Sequence, residues 1–344
     1  MLKSLFCAAA LLAAFTIPAN AERIGVRDLK VAQSANGRAL NAVVWYPTED
    51  DGKTEAVGEN PAFLGVPAIR NASPGDGPHP LVVLSHGYGG SWRNLSWLAG
   101  ELAAKGYVVA ATDHPGTTTF DRSKAEAARL WERPRDLSRL IDAVLADKGL
   151  GPRTDGKRIA AIGHSLGGWT VMALAGARVD AARFLADCKA KTSPRACALS
   201  HELGLDGTGD ARAALEGDLG DPRIGAAVSL DLGLARSFST ESLAAVRVPV
   251  LIFGAGIDAG GLPAEAESGY LAAGLPMSMR DYVVVPDAMH FSFMQLCKPG
   301  AVAMIEARSP GDGVVCKDGG TRGRAAIHRQ VADRIATFLG ATLP

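Results

Sequence analysis

The stretch RIAAIGHSLGGWT, residues 158–170, constrains the chain more than any other. Arg158 to Ile162 reads as a short buried strand. Trp169 to Ala177, rich in Ala, Leu, Met and Val, reads as the body of a helix. Between them sits Gly163-His164-Ser165-Leu166-Gly167. A serine there is either part of a plain chain reversal or a nucleophile on a strained turn. With 40 glycines in 344 residues, G-x-S-x-G arises by chance roughly 0.25 times, so the pattern alone is weak. The order strand, pattern, helix strengthens it, because that is the context a nucleophile elbow requires. In such an elbow the serine backbone is strained. Side chains at the flanking glycines would collide with the neighbouring strand and helix.

The surrounding sequence alternates short apolar strands with helices. Strands are predicted over Ile24–Ala32, Leu40–Trp45, Pro80–Ser85, Tyr107–Thr112, Ile224–Leu230, Val250–Phe253 and Asp281–Val285. Helical periodicity marks Trp92–Lys105, Arg133–Asp147, Thr240–Ala245, Ala264–Ala273 and Arg324–Leu339. Thr48 to Pro80, rich in Gly, Pro and charge, reads as a long surface loop. This alternation predicts an α/β fold: a mostly parallel central sheet with helices on both faces. The Ala-, Asp- and Gly-rich segment at about 179–222 breaks the pattern and reads as a cap-like insertion. Residues 22–344 are therefore expected to form a single domain.

In an open α/β sheet, reactive groups gather at the carboxyl ends of the strands. Ser85-His86-Gly87-Tyr88-Gly89-Gly90 follows PLVVL, a glycine-rich loop able to offer a backbone N–H to an oxyanion. Asp258 follows VPVLIFGAG after one isoleucine, and His290 follows YVVVPDAM. The chain order Ser, Asp, His is that of a serine hydrolase of this topology. A serine hydroxyl needs a base to take its proton, and a neutral imidazole suits that role. A carboxylate must orient the imidazole, and two N–H groups must bind the oxyanion. The candidates are Ser165 as nucleophile, His290 as base, and Tyr88 and Leu166 as oxyanion donors. Asp258 is the favoured acid, since the loop GAGIDAGG can bring it toward His290. Gly87, His164, Trp169 and His114 are expected at the substrate pocket. His164 and His114 also have local readings as loop-ordering groups, and Trp169 as core packing.

The N-terminal MLKSLFCAAALLAAFTIPANA has one lysine and then about a dozen apolar residues, too few to span a bilayer. Ala19-Asn20-Ala21 fits signal-peptidase cleavage, so residues 1–21 read as a signal peptide. The expected location is periplasmic or secreted. Thirty-six basic residues balance 36 acidic ones, which leaves no global field to attract nucleic acid. Of the remaining cysteines, Cys188, Cys197, Cys297 and Cys316, an even number in an exported chain suggests disulfides. Three connectivities are open. Sequence proximity favours Cys188–Cys197 and Cys297–Cys316, each worth about 2–3 kcal/mol. A zinc site is the competing reading, weakened by the lack of any C-x-x-C pair. No metal or organic cofactor is expected, and the partner expected is a small-molecule ester, with the chain a monomer.

LSHGYGGSWRNLSWLAGELAAKGYVVAATDHPG, RPRDL, GHSLGG and DAMHFSF together resemble α/β-hydrolases of the dienelactone hydrolase and platelet-activating-factor acetylhydrolase-like group. A looser similarity runs to secreted bacterial cutinases. The resemblance covers nearly all of the chain after the signal except 179–222. It implies ester hydrolysis, with Ser165, His290 and Tyr88 matching the nucleophile, histidine and first oxyanion donor. Cutinases would place the acid at Asp258 and the acetylhydrolases at Asp231. Dienelactone hydrolases typically use cysteine, so the serine at 165 points away from that activity.

Overall fold

The computed structural model describes residues 23–35, 37–190, 192–258 and 260–343. The expected signal peptide and its cleavage point near Ala21 lie outside the described residues. Among these residues, one ten-stranded sheet organises the chain. Its strands are β1 (Arg23–Val31), β2 (Leu40–Thr48), β3 (Glu55–Val57), β4 (Val66–Arg70), β5 (His79–Ser85), β6 (Val108–Thr112), β7 (Thr154–His164), β8 (Ile224–Leu230), β9 (Val250–Ile257) and β10 (Arg280–Met289). The spatial order is β10-β9-β8-β7-β5-β6-β2-β1-β4-β3. From β10 to β6 every neighbouring pair is parallel. β2 joins antiparallel to both β6 and β1.

The period-2 alternation of a strand sends neighbouring residues to opposite faces. On β5, Val82 and Leu84 join a core with Leu98, Ile327 and Ile335, beneath helices Ser96–Ala103 and Arg324–Thr342. Leu81 and Val83 join the opposite core with Leu137, Leu140 and Val171, beneath Glu132–Ala146 and Leu166–Leu174. Both faces being covered, the central strands can be apolar throughout, which is why they read as continuous runs. Each fully buried Leu, Ile or Val side chain contributes about 1.5–3 kcal/mol.

The segment 48–80 is not one long loop. It holds β3 and β4, and β4 pairs in parallel with β1 through Gly25–Ile69 and Val26–Arg70. Runs of three and five residues among Gly and Pro are too short for alternation to register in sequence. Residues 179–222 carry three short helices, Ala181–Cys188, Pro194–Ala198 and Gly209–Glu216. Phe184, Leu203, Leu205 and Leu215 of that segment share a core with Trp169 and Phe238. No described helix is long and apolar enough to cross a membrane.

Candidate active site

The elbow is sharp because one residue turns the chain from strand to helix. β7 ends at His164 and the helix begins at Leu166. Ser165 between them has φ 58° and ψ −121°, a conformation that costs a non-glycine residue about 1–3 kcal/mol. The surroundings hold it there. Its N–H donates to the Leu230 carbonyl (3.0 Å), and its carbonyl accepts from Gly168 N–H (2.9 Å). A Cβ at Gly163 would overlap the Gly167 carbonyl, and one at Gly167 would overlap the Ser85 carbonyl. The glycines are thus required by close backbone approach.

Ser165 Oγ lies 2.9 Å from His290 Nε2, and His290 Nδ1 lies 2.7 Å from Asp231 Oδ2. The other Asp231 oxygen accepts the Ala255 N–H at 2.8 Å. Both carboxylate oxygens are therefore fixed, and the residue itself sits at φ 45°. Asp231 is 4% exposed and His290 7%.

Asp258 is not the carboxylate that meets His290. It is exposed, and its Oδ1 accepts N–H groups of Gly260, Gly261 and Leu262 in its own loop (2.9–3.1 Å). The reason is where the histidine loop goes. β10 shifts register between Val285 and Met289. The turn His290–Phe293 then passes back over the sheet until the His290 carbonyl accepts from His164 Nε2 at the end of β7 (2.8 Å). With the imidazole above β7, the acid at the end of adjacent β8 is in reach, and the acid at the end of β9 has been passed over.

Three ring N–H groups pin the histidine loop. His164 holds the His290 carbonyl, His328 the Ser292 carbonyl (3.1 Å), and Trp97 Nε1 the Phe293 carbonyl (2.9 Å). Burial drives the His164 pKa well below its ordinary value and that of His328 down to about 3. Both are neutral near pH 7 and act as fixed donors. His328 also stacks on Trp97, ring centroids 3.7 Å apart.

This settles three positions expected at the substrate pocket differently. His164 lies beneath the histidine loop and is buried. His114 is fully buried, between Asp136 Oδ2 (2.9 Å) and Ser85 Oγ (3.0 Å). Trp169 is fully buried, donating to Ser237 Oγ (2.9 Å) and stacking on Phe238. Strand ends and the first helical turn send these side chains into the sheet's cores. Gly87 is at the site: a Cβ there would stand 3.0 Å from Ser165 Cβ.

Tyr88 and Leu166 line the cleft beside Ser165 and His290. The Gly87 carbonyl accepts from His86 Nδ1 (2.7 Å) and from Gly90 N–H (3.1 Å). A peptide group is planar, so holding that oxygen aims the Tyr88 N–H the other way. The Leu166 N–H is the first of its helix and has no intrahelical acceptor.

The cleft has a volume of about 180 Å³ and walls that mix leucines and valines with Tyr88, Arg195 and Asp312. Arg195, Leu199 and Leu203 of the insertion form one wall; Phe291, Val314 and Val315 form another. Each wall is stapled. Cys188 is bonded to Cys197 beside Arg195, and Cys297 to Cys316 beside Val315. Pairing of all four leaves the zinc reading without its thiolates. The insertion also reaches the glycine-rich loop after β5, where the Tyr88 hydroxyl donates to Glu202. Neither wall has a periodic pattern, so sequence reasoning did not find Arg195, Val314 or Val315.

Glu267, also missed, lies 1% exposed near Asp231. It accepts from the Ser193 hydroxyl, at the start of the cap helix Pro194–Ala198, and from Ala235 N–H (2.7 Å) in the turn after Asp231. Burial, outweighing those two hydrogen bonds and aided by nearby Asp231, pushes its pKa from 4.5 up to about 7. The folded pKa exceeds the unfolded one, so the protonated form is the one the fold prefers. Its contribution to stability is intact below pH 4.5, falls as pH rises through about 7, and is lost above that. Glu267→Gln keeps an acceptor for Ala235 and a partner for Ser193 without the charge. Melting curves should show it gaining on wild type from pH 5 to pH 8, by up to about 3 kcal/mol. An advantage independent of pH would contradict this assignment.

The chain is similar to several known hydrolases. Residues 76–187, about a third of the chain, match the family model described as serine aminopeptidase, S33. Two cutinases of Thermobifida alba, est1 and est2, are each 34% identical over 101 residues, 29% of this chain and 31% of the cutinase. A bis(hydroxyethyl) terephthalate hydrolase of Streptomyces coelicolor is 29% identical over 106 residues, 31% of each chain. The matched region thus spans under a third of the length of these relatives. A ferulic acid esterase from Streptomyces cinnamoneus superposes with TM-score 0.64 at 22% identity, covering 95% of this chain and 92% of that one. With the strand order and the elbow, this makes the fold an α/β-hydrolase fold.

Proposed function

We propose that the chain is an exported serine hydrolase that cleaves carboxylic esters. The observation that carries the reading is the unbroken relay Ser165–His290–Asp231, 2.9 and 2.7 Å, opening into a cleft beside two backbone amides. Ser165 Oγ attacks the ester carbonyl while His290 Nε2 takes its proton. Asp231 holds the Nδ1–H tautomer and stabilises the imidazolium. The Tyr88 and Leu166 N–H groups receive the oxyanion. His290 then gives the proton to the departing alkoxide, leaving an acyl-Ser165. Water, deprotonated by His290, attacks that acyl group, and the carboxylic acid leaves as Ser165 regains its proton.

The cutinase and ferulic acid esterase likenesses favour an ester over other acyl bonds. Two disulfides suit an oxidising compartment, in keeping with the expected signal peptide. The small volume of the cleft favours short acyl chains. Initial rates on p-nitrophenyl esters of increasing chain length, beside p-nitroanilides of the same acids, test both points. Esters should turn over faster at every length, and the rate should fall once the chain outgrows the cleft. Anilides hydrolysed as fast as esters would transfer the function to amide cleavage. An absence of labelling by a fluorophosphonate probe would leave only a binding role.

A further inference from the structure

Arg133 lies on the helix Glu132–Ala146, on the face that also carries Leu137, Leu140 and Ile141, and is 1% exposed. All three guanidinium nitrogens are engaged. Nη2 donates to the His86 carbonyl and to Ser85 Oγ (3.2 Å), Nη1 to Thr117 Oγ1 (2.6 Å), and Nε to Thr170 Oγ1 (2.9 Å). Thr117 lies in the loop after β6, and the other acceptors belong to two separate parts of the site. Ser85-His86 leads directly into Gly87-Tyr88. Thr170 belongs to the helix that starts at Leu166, and its hydroxyl donates to the Leu166 carbonyl (2.9 Å). One rigid planar cation therefore joins the loop bearing one oxyanion amide to the helix bearing the other.

The cation is compensated where it lies. Asp136, one helical turn on, is fully buried and attracts it, and is itself held by Arg38 Nη2 (2.7 Å) and His114 Nδ1 (2.9 Å). Burial lowers the Arg133 pKa to about 9, which leaves it charged near pH 7. Nothing places Arg133 in contact with substrate: the cleft is lined by other residues.

We propose that Arg133 is a positioning residue that sets the separation and aim of the Tyr88 and Leu166 amides. The inference rests on the acyl-transfer reading above. Oxyanion stabilisation depends on donors fixed before the charge develops, and a supporting shell must hold them within about 0.5 Å. A lysine has one nitrogen and cannot span both anchors as the guanidinium fork does.

The test compares wild type, Arg133→Lys, Arg133→Met and Thr170→Val on p-nitrophenyl butyrate, with rates scaled to the folded fraction from circular dichroism. It also measures inhibition by an alkyl trifluoromethyl ketone, whose Ser165 adduct carries the oxyanion. Arg133→Met is expected to lower kcat about 10²-fold, with KM changed less than about threefold. Ketone affinity should fall by about the same factor as kcat, and lysine should rescue only part of the loss. Thr170→Val cuts the helix-side anchor alone and is expected to cost about fivefold in both kcat and ketone affinity. A folded Arg133→Met with wild-type kcat and ketone affinity overturns the proposal, as does a loss of kcat with ketone affinity unchanged. Should neither Arg133 variant fold, Thr170→Val decides: wild-type kcat and ketone affinity there overturn it. A wild type that hydrolyses no ester removes the acyl-transfer reading, and this inference with it.

Discussion

Ser165→Ala is expected to lower kcat for ester hydrolysis on the order of 10⁶-fold while the protein stays folded. The size follows from the relay. Without Oγ, His290 Nε2 has no hydroxyl at 2.9 Å to activate, and no acyl-enzyme forms. What remains is the oxyanion site and whatever the cleft gains by binding, together about 10³–10⁴ over water. The fold should survive, because Ser165 is held by its backbone bonds to Leu230 and Gly168, which alanine keeps. Fluorophosphonate labelling should disappear with the activity. A folded Ser165→Ala protein that turns over esters at the wild-type rate would end the serine-hydrolase reading.

The second large effect separates two aspartates. In Asp231→Asn, the amide can keep the Ala255 N–H bond through its oxygen. Its NH₂ then faces His290 Nδ1, which lies 2.7 Å from the present carboxylate oxygen. That arrangement favours the tautomer with the proton on Nε2, which cannot accept the serine proton. The expected loss is about 10⁴ in kcat. Asp258→Asn alters only a loop tie to Gly260, Gly261 and Leu262, at an exposed position. Its expected loss is under about tenfold, or 1.4 kcal/mol. Measuring both variants on one ester decides the matter; a larger loss for Asp258→Asn would return the acid's role to that residue.

The elbow was legible in the chain because its causes are local. A buried strand, two glycines with no room for a Cβ and a helix start within six residues all leave marks on neighbouring positions. His290 was legible for a similar reason, as the polar residue at the end of a terminal apolar strand. Proximity in sequence also picked the two cysteine pairs present in the structure. The buried face of Glu132–Ala146 carried a signal too: Arg133 and Asp136 fall among its apolar positions, where a charge needs a partner. The sequence could not say which partner.

What only tertiary structure decided was how far a loop travels after its strand ends. Counting strands placed Asp258 next to the histidine. The register shift in β10 and the carbonyl held by His164 carry the imidazole over β9 and β8, to where Asp231 stands. The same limit explains His114 and Trp169, which follow reactive-looking strands yet turn into the cores. It explains the cleft walls as well, where 179–222 and the segment around Cys316 meet over Ser165 without any periodic pattern to announce it. The sequence by itself marked the longer elements and the candidate nucleophile and histidine, because propensity, periodicity and glycine sterics act within a few residues. The carboxylate that meets His290, the pocket lining and the buried cation's anchors were left to the folded state, because they depend on contacts between segments tens of residues apart that no local preference encodes.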